Sequence, residues 1–153
     1  WCCLVGSEMC IRDSPYIDVS QKNKLSQNKQ AGARKKPERV EGTLSCELPK
    51  TLVKKNDIHI TSKRNFDCFQ DTELDMLLKR TLDVKNIIIC GVNTDTCVYG
   101  TTFGASNRGY NPIVIECCTG SMRGEDQHKT ALKIMSQSIA WVMKKEEILN
   151  KLN

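Results

Sequence analysis

The sequence predicts an α/β protein in which a parallel sheet carries helices on both faces, a three-layer Rossmann-like arrangement. Two continuous apolar runs, NIIICG at 86–91 and NPIVIECC at 111–118, are typical of strands buried on both faces. Strand and helix alternate at about thirty residues per unit, which is the pattern of βαβ repeats. Right-handed crossovers in such repeats make the strands parallel.

The regular pattern begins at Asp57, and each element has its own justification. DIHITSK is a short strand ending near Thr61, and TELDMLLKR is a helix with Thr72 and Asp75 in capping-box spacing. A helix from about Thr96 to Asn107 follows NIIICG, and Gly109 stands at its C′ position. The remaining predicted elements are the strand NPIVIECC, the helix EDQHKTALKIMSQ, the strand IAWVM and the terminal helix KKEEILNKL. Leucines on one face of the first helix, which fit packing on a sheet, are Leu74, Leu77 and Leu78.

The N-terminal part of the chain has a different character. We predict an irregular or disordered basic segment over residues 1–41 and the folded domain over residues 42–153. Ten Lys/Arg and three Asp/Glu lie between Lys22 and Lys55, a local charge of +7, whereas the whole chain carries +5. The sequence pattern of the first fourteen residues differs from that of every later segment, which suggests the hypothesis that they are a foreign junction.

Composition limits the classes of protein that fit. A length of 153 residues allows one domain. Nine irregularly spaced cysteines argue against a disulfide framework and favour a reducing, cytoplasmic compartment. The sequence has no apolar run long enough for a membrane span and no convincing signal peptide, so we expect no membrane partner. The basic run lacks interleaved aromatic residues, so we expect no nucleic-acid partner, although a nucleic-acid-binding arm is one alternative.

Cys97 is the candidate nucleophile. It lies in the first turn of the helix that follows a central strand, with Asp95 placed to cap that helix. Free N–H groups and positive potential at a helix N-terminus favour thiolate over thiol. In parallel sheets, ligands bind beyond the carboxyl ends of the strands, where this cysteine lies. A buried, inert cysteine is the alternative.

Lys63 is the candidate catalytic lysine. It leaves the strand at 57–61 at the same edge of the sheet, thirty-four residues before Cys97. We expect the two strands to be neighbours, with the lysine nitrogen within about one side chain's reach of the Cys97 sulfur, where its ammonium could stabilise the thiolate. A solvated surface lysine is the alternative.

These segments together resemble the isochorismatase-like cysteine hydrolases, which include nicotinamidases and N-carbamoylsarcosine, biuret and ureidoacrylate amidohydrolases. The matching segments, over about residues 42–150, are SKRNFDCF, TELDMLLKR, IIICGVNTDTCVYGTT, the Gly-Tyr-x-Pro strand, the TGS turn and the helix with His128. The resemblance implies an isochorismatase-like fold, Cys97 as nucleophile, Lys63 as catalytic lysine and a small amide-type substrate. It also implies a cis peptide between Val92 and Asn93, and an oxyanion hole formed by the backbone N–H groups of Asn93 and Cys97.

The aspartate of the family's triad has no clear counterpart. In the family it lies on the first strand, in an apolar run followed by D-x-Q. In this sequence only Asp18 in YIDVSQ is weakly similar to that pattern. We therefore expect a domain that is N-terminally incomplete and nearly inactive. Two functions follow: a cysteine hydrolase of small non-peptide C–N bonds, or an inactive fragment that serves as an interaction or oligomerisation module. Cys97 favours amide chemistry over the vinyl-ether chemistry of true isochorismatases, which lack this cysteine.

Other residues carry weaker signals. Phe66 and Phe69 are candidates for lining a substrate pocket, with core packing as the alternative. His59 and His128 lack metal-ligand spacing, so we expect no metal and no other cofactor. The adjacent pairs Cys2-Cys3 and Cys117-Cys118 lack C-x-x-C spacing and are interpreted as non-functional. A homo-oligomer is the expected assembly.

Overall fold

The computed structural model describes residues 2–6, 9–13, 51, 55–63 and 65–152. Within them one six-stranded sheet has the strand order β3-β2-β1-β4-β5-β6. The strands are β1 (Cys2–Gly6), β2 (Met9–Asp13), β3 (Ile58–Ile60), β4 (Asn86–Val92), β5 (Asn111–Gly120) and β6 (Trp141–Met143). The helices are α1 (Leu74–Met76), which continues as a π-helical segment at Leu77–Thr81, α2 (Tyr99–Asn107), α3 (Glu125–Ser138) and α4 (Lys145–Leu152).

The sheet is parallel apart from one strand. β3 runs parallel to β2, and β4, β5 and β6 run parallel to one another. β1 is antiparallel to both of its neighbours, β2 and β4, so β3 and β4 run in the same direction. The carboxyl ends of β3, β4 and β5 therefore lie at one edge of the sheet, as the predicted βαβ pattern requires.

The strands β1 and β2 depart from the irregular segment predicted over residues 1–41. β1 also occupies the place beside β4 where we expected a strand to be absent. The rest of the predicted N-terminal segment, Asp18 included, lies outside the described residues, and the proposed domain boundary at residue 42 stays a prediction. Within the part of the chain that the structure describes, no helix is long and apolar enough to cross a bilayer.

The core forms where the predicted apolar faces meet. Ile87 and Ile89 of β4 and Val114 of β5 are at most 1% exposed. Leu74 and Leu78 pack against them from the first helical segment, as the leucine spacing predicted. Each such side chain stabilises the fold by about 1.5–3 kcal/mol through removal of apolar surface from water. From α3 the core receives Ala131, Leu132 and Met135.

The predicted capping box of the first helix does not form. The residue that precedes α1 is Glu73, and it makes no side-chain capping bond. Thr72 Oγ1 accepts the Leu74 amide at 3.3 Å and donates to the Cys68 carbonyl at 2.5 Å, while Asp75 accepts a bond from the Tyr110 hydroxyl at 2.9 Å. Thr72 therefore still bonds to the start of the helix, whereas the reciprocal half of the box is missing because Asp75 bonds to Tyr110.

Candidate active site

Cys97 lies where the sequence predicted, in a helical turn directly after β4. A π-helical turn at Thr94–Val98 leads without a break into α2. The Asn93 carbonyl accepts bonds from the Thr96 and Val98 amides, both at 3.1 Å, so the turn is closed around Cys97. Cys97 is 6% exposed, and the peptide between Val92 and Asn93 is cis.

Asp95 does not cap this helix, contrary to the prediction. The capping position belongs to Asn93, whose side chain makes no capping bond to the helix. Asp95 Oδ1 instead accepts the Ser121 hydroxyl at 2.6 Å, and Oδ2 accepts a guanidinium N–H of Arg123. Burial raises the pKa of Asp95, but the bonds from Ser121, Arg123 and its own backbone, with the Arg123 charge, outweigh it and leave the pKa lowered.

The turn after β5 is tied to the turn after β4 by further bonds. The Met122 amide donates to Asn93 Oδ1 at 2.9 Å, and Thr94 Oγ1 lies 2.8 Å from His128 Nδ1. Thr94 is fully buried and His128 is half-buried, so their bond is partly shielded from water. These bonds between the two turns were not predicted from the sequence, although the TGS turn and the opposite charges of Asp95 and Arg123 were signals for them.

Lys63 is fully buried, not a solvated surface lysine. It leaves β3 at the same edge of the sheet from which Cys97 leaves β4. The expectation that these strands are neighbours is wrong, because β2 and β1 lie between them. Three strand spacings separate the two strands by about 14 Å, so the chain after β3 must cross back to approach Cys97.

The segment after Lys63 makes that crossing and packs along α2. Thr101 Oγ1 donates to the Phe66 carbonyl at 3.3 Å and receives the Cys68 amide at 3.3 Å and its thiol at 3.1 Å. Directly after α2, Arg108 donates to Asp67 Oδ2 at 3.3 Å. The crossing segment therefore docks on the helix that starts at Cys97.

The two candidate pocket residues have different positions. Phe66 is 39% exposed and lies beside Gly100, one helical turn beyond Cys97. Phe69 is a core residue: it stacks on Tyr110 with ring centroids 5.5 Å apart, under the Arg108 guanidinium. Core packing therefore accounts for Phe69, and Phe66 stays a candidate for contact with substrate.

Metal ligands are not grouped in the part of the chain that is described. No set of three or more His, Cys, Asp or Glu side chains within it is arranged to hold a metal ion. Of the histidines, His128 bonds to Thr94, and His59 lies exposed on β3.

Together these features define an α/β protein with a cysteine at the helix start after a central strand and a buried lysine at the same sheet edge. A family model described as the isochorismatase domain matches residues 11–147. The chain therefore belongs to the isochorismatase family, which confirms the resemblance found in the sequence and the predicted fold class.

Individual relatives agree with this assignment. An uncharacterised isochorismatase family protein of Escherichia coli O157:H7 is 33% identical over 97 residues, which are 63% of this chain and 50% of that protein. The chain spans about half the length of the first curated relatives that it matches. The nicotinamidase of Staphylococcus aureus is 30% identical, with 69% of each chain covered and a TM-score of 0.62. An isochorismatase-like hydrolase from Alkaliphilus metalliredigens, 22% identical, has the same fold, with a TM-score of 0.76 over 94% of this chain and 71% of its own.

Proposed function

We propose that this protein hydrolyses a small, non-peptide, amide-type C–N bond through the Cys97 nucleophile and a thioester intermediate. The observation that carries the proposal is the buried Lys63 at the same sheet edge as Cys97, because an ammonium is seldom withdrawn from water without a specific task. Family membership and the likeness to a nicotinamidase support an amide as the bond that is cleaved.

The reaction has two stages. Cys97 Sγ attacks the substrate carbonyl, the S–C bond forms, and the C–N bond breaks as ammonia or an amine leaves with a proton. Water then attacks the thioester, releases the acid and restores the thiol. The Asn93 and Cys97 amides stabilise the oxyanion in both stages, and Lys63 stabilises the negative charge on sulfur.

Among the described residues, none is assigned as the acid–base member of the triad. Asp95 is close to Cys97 in sequence, but Ser121 and Arg123 hold both of its carboxylate oxygens. Asp67 is likewise held by the Phe69 amide at 2.9 Å and by Arg108. Neither residue is therefore assigned as the base.

Ammonia release from a panel of small amides and ureas tests the proposal, with nicotinamide first. Turnover should be slow because no base is assigned; Cys97→Ala should abolish it, and Lys63→Met should lower it by about 10²–10⁴-fold. The exposed Cys117 provides the matched control, and Cys117→Ala should leave turnover unchanged. Turnover that survives Cys97→Ala would contradict the assignment of the nucleophile.

Alkylation of the thiols gives a second test that needs no substrate. Cys97 is buried, whereas Cys90 is half-buried, so exposure alone makes Cys90 the faster thiol. An activated Cys97 should nevertheless react faster with iodoacetamide near neutral pH. Both residues lie in the tryptic peptide 86–108, where fragmentation mass spectrometry separates them. A Cys97 that reacts no faster than Cys90 would refute activation.

An interaction module without catalytic activity is the second candidate. Tyr99 and Phe103 stack on α2 with ring centroids 6.4 Å apart, and Phe103 is 44% exposed. Trp141 on β6 is 70% exposed. Absence of turnover together with a homo-oligomer that Phe103→Ser disrupts in size-exclusion chromatography would favour this function over hydrolysis.

A further inference from the structure

Three thiols gather at an irregularity between β4 and β5. Ile89 pairs with Val114 and Gly91 pairs with Thr119, so residues 115–118 lie opposite Cys90 alone. Cys117 and Cys118 lie in this bulge, both exposed, with their sulfurs 4.0 Å apart. The Cys118 thiol also hydrogen bonds to Cys90 on the neighbouring strand. Cys118 is therefore the central member of a cluster that joins two strands.

Disulfide geometry favours one of the two pairings that Cys118 could make. Cα atoms of disulfide-bonded cysteines are usually about 4.4–6.8 Å apart. Adjacent residues such as Cys117 and Cys118 are held at about 3.8 Å, below this range. Cys90 and Cys118 immediately precede Gly91 and Thr119, which pair on neighbouring strands about 4.8 Å apart, so Cys90 and Cys118 are the better matched pair.

We propose that Cys90 and Cys118 form a reversible modification site, a cross-strand disulfide made by exchange with an oxidised low-molecular-weight thiol such as oxidised glutathione. The proposal is independent of the function of Cys97.

The exchange has two steps. The Cys118 thiolate attacks one sulfur of the small disulfide, and the first small thiolate leaves and takes up the proton that Cys118 lost. Cys90 then loses its proton and attacks Cys118 Sγ, which breaks the mixed disulfide and releases a second small thiolate. Two protein thiols are oxidised to one disulfide, and one small disulfide is reduced to two thiols.

The surroundings of Cys118 set the pH dependence of the first step. Partial burial raises the pKa of the Cys118 thiol, and so does Cys117, whereas the bond from Cys90 and the charge of Lys145 act in the opposite direction and are outweighed. Attack by Cys118 should therefore quicken with rising pH over a range above that of an ordinary thiol.

Peptide mapping of the full chain after incubation with oxidised glutathione tests the proposal. Trypsin places Cys90 and Cys97 in the peptide 86–108 and Cys117 and Cys118 in the peptide 109–123. We expect these two peptides to be joined by a disulfide that disappears on reduction. Peptide 109–123 alone, lighter by two hydrogen atoms, would show the Cys117–Cys118 pairing and overturn the proposal.

Variants assign the pair within these peptides. Cys117→Ser and Cys97→Ser should keep the cross-link, whereas Cys118→Ser should lower its yield by at least about tenfold. Cys118 is exposed, so its replacement by serine should leave the fold intact, and circular dichroism checks this. A cross-link that persists in Cys118→Ser, that is lost in Cys117→Ser, or that joins Cys90 to another cysteine would overturn the proposal, as would absence of any cross-link.

Discussion

A methyl group at Gly104 of α2 should disconnect the crossing segment after Lys63 from the helix that starts at Cys97. A Cβ atom at this position would lie 2.5 Å from Asp67 Oδ1 and 2.6 Å from its Cγ, far inside van der Waals contact. The carboxylate cannot simply rotate away, because the Phe69 amide and Arg108 hold its two oxygens.

The expected cost follows from these contacts. Overpacking at a rigid site costs about 1–3 kcal/mol, and loss of the two bonds to Asp67 costs about 1 kcal/mol each. A helical alanine recovers about 1 kcal/mol relative to glycine. Gly104→Ala should therefore destabilise the protein by about 2–4 kcal/mol. At about 2–4 °C per kcal/mol for a chain of this size, the Tm should fall by roughly 4–16 °C.

Gly100 provides a matched control on the same helix. Its added Cβ would lie 3.4 Å from the backbone carbonyl carbon of Phe66, which is ordinary contact. Gly100→Ala should therefore leave the Tm unchanged or raise it, by up to about 1 kcal/mol of stability. Calorimetry of both variants measures the difference. Asp67→Ala added to Gly104→Ala should restore the about 1–3 kcal/mol that the clash costs, but not the contribution of the two bonds to Asp67. Equal Tm values for Gly100→Ala and Gly104→Ala would refute the reasoning.

Two further measurements test the hydrogen bonds of Asp95 at the site and of Tyr110 in the core. Because the pKa of Asp95 is lowered in the folded protein from 3.8, its ionised form stabilises the fold above pH 3.8, and this contribution is lost as the pH falls through the folded pKa. The Tm gap between the wild type and Asp95→Asn should therefore close on acidification, and a gap that stays constant down to acid pH would contradict the bond network. Tyr110→Phe keeps the stacking on Phe69 but removes the hydroxyl that donates to Asp75, so it should cost about 1 kcal/mol. Urea denaturation measures this loss, and an unchanged midpoint would mean that the bond contributes nothing.

The local elements could be predicted from the sequence because short-range patterns determine them. The apolar run at 86–91 became β4, and the leucines of 72–80 entered the core from a helical segment. The π-helical geometry of Leu77–Thr81 has no comparable signature in the sequence. Gly109 ends α2 with a φ of +82°, a conformation that glycine adopts without steric cost.

The arrangement of the site was harder to predict because it depends on contacts between distant segments. No pattern within 57–63 or 86–92 tells whether the two strands are neighbours, and the structure places β2 and β1 between them. Asp95 has the right type and spacing for a cap, yet Ser121 and Arg123, which lie 26 and 28 residues away, capture its carboxylate. Long-range charge pairing therefore overrides a local preference.

In the bulge opposite Cys90, the side chains of β5 can vary but the number of residues cannot. Glu116, Cys117 and Cys118 are exposed, so the identities of their side chains can change with little effect on folding. The number of residues in this stretch is different, because pairing resumes at Thr119 and brings Gly120 beside Val92. A single insertion or deletion there would turn the chain beyond Gly120 to the opposite face of the sheet and carry Ser121 away from Asp95. Libraries that redesign this protein can therefore randomise the composition of 116–118 but should keep its length.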